Sequence, residues 1–536
     1  MKKIKYIMLL MLLAITFAGC SEVNNWDVDL STDRLFSSTH VSVVETNPTS
    51  VLISYHGIKD ATKYVFEFSE GDSMLFNNIV RREEILADTL TPYSKSSNIT
   101  QTEFQTLFQN LNGSTTYSVR VKGVDGNTKK ESRFIGISFK TPNEQIFTDV
   151  VPGITGARIY WDSTKEADKI RLGAILKKED EVSNDTVWMN DYDISSVSNG
   201  CLDVKDLNAG TSYIAQIYKG SALRGSYRFG TLGSANGEII TVSPSDDISA
   251  LLTSASQPVV TLAFTGGNEY NLRQLDIPEN ISSLYLSGSI VDGKKAHLLL
   301  KNVVFTAPMD RLSMQYVDVD NKLMSAFLIE VNSAAVSKNI DFTGCTIRNI
   351  QRSLFRGNNS DAMMEKLNIN DCVINNVGSC GYGLINISKL GSLSAINITN
   401  STITEIGDQL MDIRQVINQI KIDKVTIANY DLVLDKMFRI DKQPEEMNVT
   451  NCIFTGNNDG QKINSGYKDY SKWLDFSGCY LTKDLIQGDN KFTNVRQLDI
   501  SSDDLFVDPK SGDFHFKTGL NFLGDGKAGD PHWWTK

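Results

Sequence analysis

Six segments of the chain share one pattern. Ile340-Asp341-Phe342-Thr343-Gly344-Cys345-Thr346-Ile347 returns as Leu367 to Ile374, Ile396 to Ile403, Ile420 to Ile427, Met447 to Phe454 and Leu474 to Leu481, at steps of 27, 29, 24, 27 and 27 residues. Periods of this size mark a solenoid or an array. In each unit apolar and polar residues alternate, a turn residue and a small residue follow, and the alternation resumes. That is strand periodicity with a bend, and neither helical spacing nor an L-x-x-L-x-L frame is present. A coil with two or three short strands, stacked on its neighbours at about 4.8 Å, is the parallel β-helix solution.

The register accounts for most of the cysteines. Cys345, Cys372, Cys452 and Cys479 all fall at position six of the unit, with Ser401 and Val425 between them. They should stack inside the bore. A metal or redox site is one reading, and a column of small buried thiols is the other. The second is preferred, because no C-x-x-C or Cys/His pairing supports zinc. Cys201 and Cys380 have no evident partner. Composition agrees with stacked coils: 38 Gly against 11 Pro suits many turns at positive φ and strands that keep their N–H donors.

Two further segments, 39–142 and 143–233, alternate as short β-branched strands. Val51-Leu52-Ile53-Ser54-Tyr55 is matched by Ala157-Arg158-Ile159-Tyr160-Trp161, and Leu111 to Tyr117 by Leu207 to Tyr213, with the same Leu-to-Tyr spacing. The L-x-x-x-T-x-Y pattern looks like a tyrosine corner, whose hydroxyl bonds backbone a few residues upstream. The strand order and this pattern resemble fibronectin type III domains, which implies spacer or adhesive modules. Tyr55 and Trp161 would be core. The expected fold is all-β: two fibronectin type III-like β-sandwiches, then a right-handed parallel β-helix over 234–536.

Ser245-Asp246-Asp247 can cap a short helix, Ile248 to Ala255, ahead of the strand Val259 to Phe264. This order resembles the N-terminal cap of pectate-lyase-like β-helices. The end of the chain, Asp504 to Pro509, Gly512 to Phe516 and Gly529-Asp530-Pro531-His532-Trp533-Trp534, resembles the closing segment of β-helix proteins from bacterial polysaccharide-utilisation systems.

At the other end, Lys2, Lys3 and Lys5 precede the apolar run Ile7 to Phe17, and Phe17-Ala18-Gly19-Cys20 follows. That order resembles a lipobox, which implies a signal peptide at 1–19, lipidation of Cys20 and a tether over 20–38. Removing 1–19 takes three lysines and no acid, so the net charge of −11 becomes −14. This acidic balance argues against a polyanion binder driven by bulk charge, and no nucleic-acid partner is expected. Ser21-Glu22 and Trp26-Asp27-Val28-Asp29 resemble the export signal of Bacteroides-type surface lipoproteins, which implies the outer face of the outer membrane and a glycan-uptake transporter complex as a partner.

Chemistry could sit on the second strand of each coil. If Phe355, Ile385, Ile413 and Phe438 point inward, Arg356, Asn386, Arg414 and Arg439 point outward in one column, with Asp412 and Asp441 beside them. Arginine forks match carboxylates bidentately, so the column would suit an acidic, pectin-like polysaccharide. The alternative is a surface salt-bridge ladder. Lyases of this fold carry R-x-P-x-x-R, and Arg352-Ser353-Leu354-Phe355-Arg356 lacks the proline. Asp318-x-Asp320 and Asp503-Asp504 have no Ca²⁺-loop frame. No Ser/His/Asp frame is visible, and Trp473, Trp533 and Trp534 read as core or cap more readily than as sugar platforms. The missing catalytic motifs favour a non-catalytic glycan-binding protein over a polysaccharide lyase, with an adhesive or structural protein as a third reading. No cofactor or metal is expected, and Ca²⁺ would enter only with a lyase.

Overall fold

The computed structural model describes residues 34–71, 74–95, 102–176, 185–457, 462–466, 474, 476–520 and 522–534. Cys20, the leader and Trp473 lie outside the described residues. The chain forms two compact units. One holds the first sandwich with Ile217–Gly225, and the other holds the rest of the second sandwich and the solenoid.

Alternation over 41–140 folds as two facing sheets. One orders Val41–Asn47, Ser50–His56, Thr102–Phe108 and Pro92–Lys95; the other orders Ile79–Leu86, Lys63–Glu70, Thr116–Val124 and Ile135–Lys140. Val51, Ile53, Tyr55, Phe66, Phe68 and Phe108 fill the space between them. The second sandwich pairs Phe147–Pro152, Gly156–Trp161 and Cys201–Lys205 in one sheet and sets four strands in the other. Both are fibronectin type III-like. The Tyr117 hydroxyl accepts the Asn112 N–H at 2.9 Å, and the Tyr213 hydroxyl accepts the Asn208 N–H at 2.9 Å. These are the two expected tyrosine corners. Tyr55 and Trp161 are buried, as core residues should be.

From Glu238 onward the chain winds as a parallel β-solenoid with three strand faces. On the first face Ile240, Leu262, Leu286, Met314, Phe342, Ile369, Ile398, Ile422 and Val449 stack in register. On the second, Leu298, Val319, Ile347, Ile374, Ile403, Ile427, Phe454 and Leu481 do the same. On the third, Ile329, Phe355, Ile385, Met411 and Phe438 complete the bore. Each such side chain, taken out of water, stabilises the coil by about 1.5–3 kcal/mol. The helix Ile248–Thr253, capped by the Asp247 carboxylate on the Ala250 N–H, lays Ile248, Leu251 and Leu252 on the first coils.

Position five of the repeat makes the corner between the first and second faces. Gly344, Asp371, Asn400, Lys424, Asn451 and Gly478 have φ between 48° and 69°. Gly344 is also a close-approach site, because a Cβ there would lie 2.8 Å from the Tyr316 ring. Position six turns inward. Cys345, Cys372, Ser401, Cys452 and Cys479 each donate to the carbonyl two residues back, at 3.4, 3.2, 2.7, 3.2 and 3.7 Å. The Cys372 N–H in turn reaches Ser401 Oγ at 3.0 Å, and the Cys452 N–H reaches Cys479 Sγ at 3.3 Å. Burial pushes the Cys372 and Cys452 thiols well above their ordinary range. The cysteines are free thiols that finish the corner's hydrogen bonding.

The C-terminal segment carries short elements of its own. It folds as the helix Ser502–Leu505, the hairpin Phe506–Asp508 with Asp513–Phe516, and the turn Pro531–Trp533. It then runs back along the outside of the second face. Leu505, Phe506, Phe514, Phe516 and Ala528 pack on Ala428 and Ile453, which belong to the outer surface of the coils rather than the bore. The Gly529 N–H reaches the Asn451 carbonyl at 2.8 Å, and the Asp530 N–H reaches Thr426 Oγ1 at 3.0 Å. Asp530 Oδ2 accepts from Thr402 Oγ1 at 2.7 Å, and Trp533 Nε1 donates to the same Thr402 oxygen at 2.6 Å. The segment is a lateral strap.

Candidate functional site

On the third face the pairing corrects one column position. Glu330, Arg356, Asn386, Asp412 and Arg439 stand in register, so Asp412 takes the place expected for Arg414. The inward residue of that coil is Met411, two before Ile413, and both are fully buried. A slip of two residues leaves every side chain on the same face, so alternation could not fix it.

The column is a hydrogen-bonded chain of alternating charge. Arg356 Nε lies 3.7 Å from Glu330, and its Nη1 donates to Asn386 Oδ1 at 2.9 Å. Asn386 Nδ2 donates to Asp412 Oδ2 at 3.1 Å. The buried Asp412 carboxylate also accepts from Arg414 at 2.9 and 3.2 Å and faces Arg439 Nε at 3.7 Å, while Arg439 Nε lies 3.5 Å from Asp441. Three guanidinium groups thus meet three carboxylates. Much of their hydrogen-bonding capacity is turned inward, and the column presents little net positive charge.

A different group sits at the upper corner of this face. Between the second and third faces the loop at 378–383 carries Tyr382 at φ 77°. A bulky side chain in that region is strained, and such strain concentrates where a side chain must be presented. Gly383 beside it is obligatory: a Cβ there would lie 2.0 Å from the Gln409 carbonyl oxygen. Tyr382 is 37% exposed, and its ring packs edge-to-face with Phe327, with centroids 5.1 Å apart. The Arg356 guanidinium lies 4.8 Å from the Tyr382 ring centre and 5.1 Å from that of Phe327. Arg352 lies 6.0 and 5.2 Å from the same two rings. Among the described residues Arg352 meets no carboxylate. Sequence reasoning passed over Tyr382 and Phe327; the signal available was the aromatic embedded in Gly378-Ser379-Cys380-Gly381-Tyr382-Gly383.

The remaining candidates resolve as follows. Arg348 bonds Asp318 at 2.8 Å and lies 3.3 Å from Asp320, and His297 lies 3.6 Å from Asp320. Burial raises the Asp318 carboxyl above its usual range. Asp504 completes a capping box with Ser501, and Asp503 faces Lys510 at 3.6 Å. Trp533 and Trp534 belong to the strap. Among the described residues no group of three or more His, Cys, Asp or Glu is arranged to hold a metal ion.

Two family profiles match parts of the solenoid, both described as domains of unknown function: DUF4957 over residues 264–406 and DUF5123 over residues 420–533. No curated protein matches the sequence. Among solved structures, a segment of two fibronectin type III domains from chicken tenascin is similar at 13% identity and a TM-score of 0.23, covering 36% of this chain and 97% of that one. The FN1–FN3 domains of chicken CNTN1 are similar at 13% identity and a TM-score of 0.16, covering 39% of this chain and 73% of that one.

Proposed function

We propose that the chain is a non-catalytic polysaccharide-binding protein, held at the outer membrane surface by a lipid on Cys20 and working with a glycan-uptake transporter. Its ligand is an acidic glycan gripped at the Arg352–Tyr382 corner and continued along the third face. The observation that carries this reading is the Arg352 guanidinium, which meets no carboxylate among the described residues, beside the exposed Tyr382. A tyrosine face packs against the C–H face of a sugar ring, and an arginine fork matches the carboxylate of a uronate. The adjoining column offers Arg414 and Arg439 at its rim.

Affinity gels containing polygalacturonate, alginate or neutral galactan test it. The acidic gels should retard the protein. Arg352→Ala should weaken retention about tenfold or more, since a hydrogen bond to a charged group contributes about 1.5–3 kcal/mol, and Tyr382→Ala should weaken it too by removing the stacking face. Unchanged retention in both variants would remove the corner, and no retardation by any acidic gel would sink the proposal. Release of an unsaturated product, read by its ultraviolet absorbance, would replace binding with a lyase activity.

A further inference from the structure

A second cleft lies where the second sandwich meets the solenoid and the strap. Its volume is about 300 Å³, and Asp149, Tyr227, Lys295, Tyr316, Asp371 and His532 line it. Three separate parts of the chain supply them: the sandwich gives Asp149 and Tyr227, the coils give Lys295, Tyr316 and Asp371, and the strap gives His532.

Several of these groups are fixed in place. His532 Nδ1 lies 2.9 Å from the buried Asp530 carboxylate, which turns Nε2 toward Asp371 Oδ1 at 3.4 Å. The Tyr316 hydroxyl donates to Asp371 Oδ2 at 3.4 Å. Other groups keep unused capacity. The Tyr227 hydroxyl makes no hydrogen bond to protein among the described residues. Among the described residues Asp149 accepts its neighbour's N–H alone, from Val150 at 2.8 Å, and Lys295 Nζ has one long contact, to Thr346 Oγ1 at 3.3 Å.

We infer that this cleft binds a single neutral sugar residue, at a site separate from the third face. Two acidic side chains, a lysine and a histidine share the cleft, so acid and base are mixed there and no cluster of one sign is present to select an ion. Donors and acceptors both converge there, as a ring of hydroxyl groups requires, and two tyrosines supply aromatic surface. Pockets of this size at domain junctions, largely preformed and with a few convergent polar groups, are the usual setting for a small ligand. The site goes beyond acidic-polymer binding: it takes a sugar without a carboxylate, and it takes one ring rather than a chain.

Saturation-transfer NMR on the full chain tests this with galactose, glucose, mannose and rhamnose as probes. At least one should show transfer. The signal should survive Tyr382→Ala and fall at least about tenfold in both Tyr227→Phe and Asp149→Asn. These two substitutions are nearly isosteric, Asp149 is exposed and Tyr227 half-buried, and an unchanged melting temperature would show that they fold. No transfer from any of the four sugars overturns the inference, as does a signal that survives both cleft variants. A signal lost in Tyr382→Ala assigns the sugar to the third face instead. Loss of acidic-gel retention alone would leave the cleft standing, so the two sites fail separately.

Discussion

At position six of the coil a small side chain must both donate and accept. Ser401 shows the requirement most plainly: its Oγ donates to Thr399 and accepts the Cys372 N–H from the neighbouring coil. Ser401→Ala would leave a buried N–H and a carbonyl without these partners, at about 1–3 kcal/mol. Ser401→Cys restores what four other coils already use and should cost less than about 1.5 kcal/mol. Denaturant unfolding of the two variants measures the difference, and equal losses would discard this account of the ladder. The ladder was legible in sequence because position six recurs at fixed spacing. Tyr382 was not, since its importance comes from a backbone angle and from two arginines of the preceding coil, neither of which leaves a period.

Among elements, the strap was the least legible. Its anchoring bonds join residues far apart in sequence: Asp530 to Thr426 across 104 positions and Trp533 to Thr402 across 131. Local pattern does not encode such docking. The strap also carries a pH dependence. The hydrogen bond to Asp530 raises the His532 imidazole above its ordinary value, although burial opposes it. Burial raises the Asp371 carboxyl, and Asp530 and Asp149 add to this while His532 and Lys295 act against it. Both groups therefore hold protons more tightly with the strap docked than in the open chain. The imidazolium contribution is fully present below about pH 6.5, the ordinary histidine value, and is lost as pH rises through the raised one. Limited proteolysis followed by intact mass should show the C-terminal residues cut more readily as pH rises from 6 to 9, relative to a control peptide. His532→Gln should flatten that profile. A profile that is flat in the wild type, or unchanged in the variant, removes the imidazole from the docking.

For the whole molecule, 536 residues would ordinarily suggest three or more globules. The solenoid escapes that rule because it grows by adding coils to an axis. Each coil buries its apolar side chains against its neighbours, and the core, continuous from Val242 to Phe492, never has to thicken. The first sandwich has its own core around Tyr55, Phe66 and Phe108. Two such cores should melt separately. Phe66→Ala removes a fully buried ring, at about 3–5 kcal/mol, and should lower one calorimetric transition by several degrees while the other stays in place. Ile374→Ala in the bore, at about 2–5 kcal/mol, should do the reverse. Because the repeat couples neighbouring coils, its transition should shift as a unit. If both substitutions displaced one common transition, the two units would share a single cooperative core, and the solenoid's stability could not be read coil by coil.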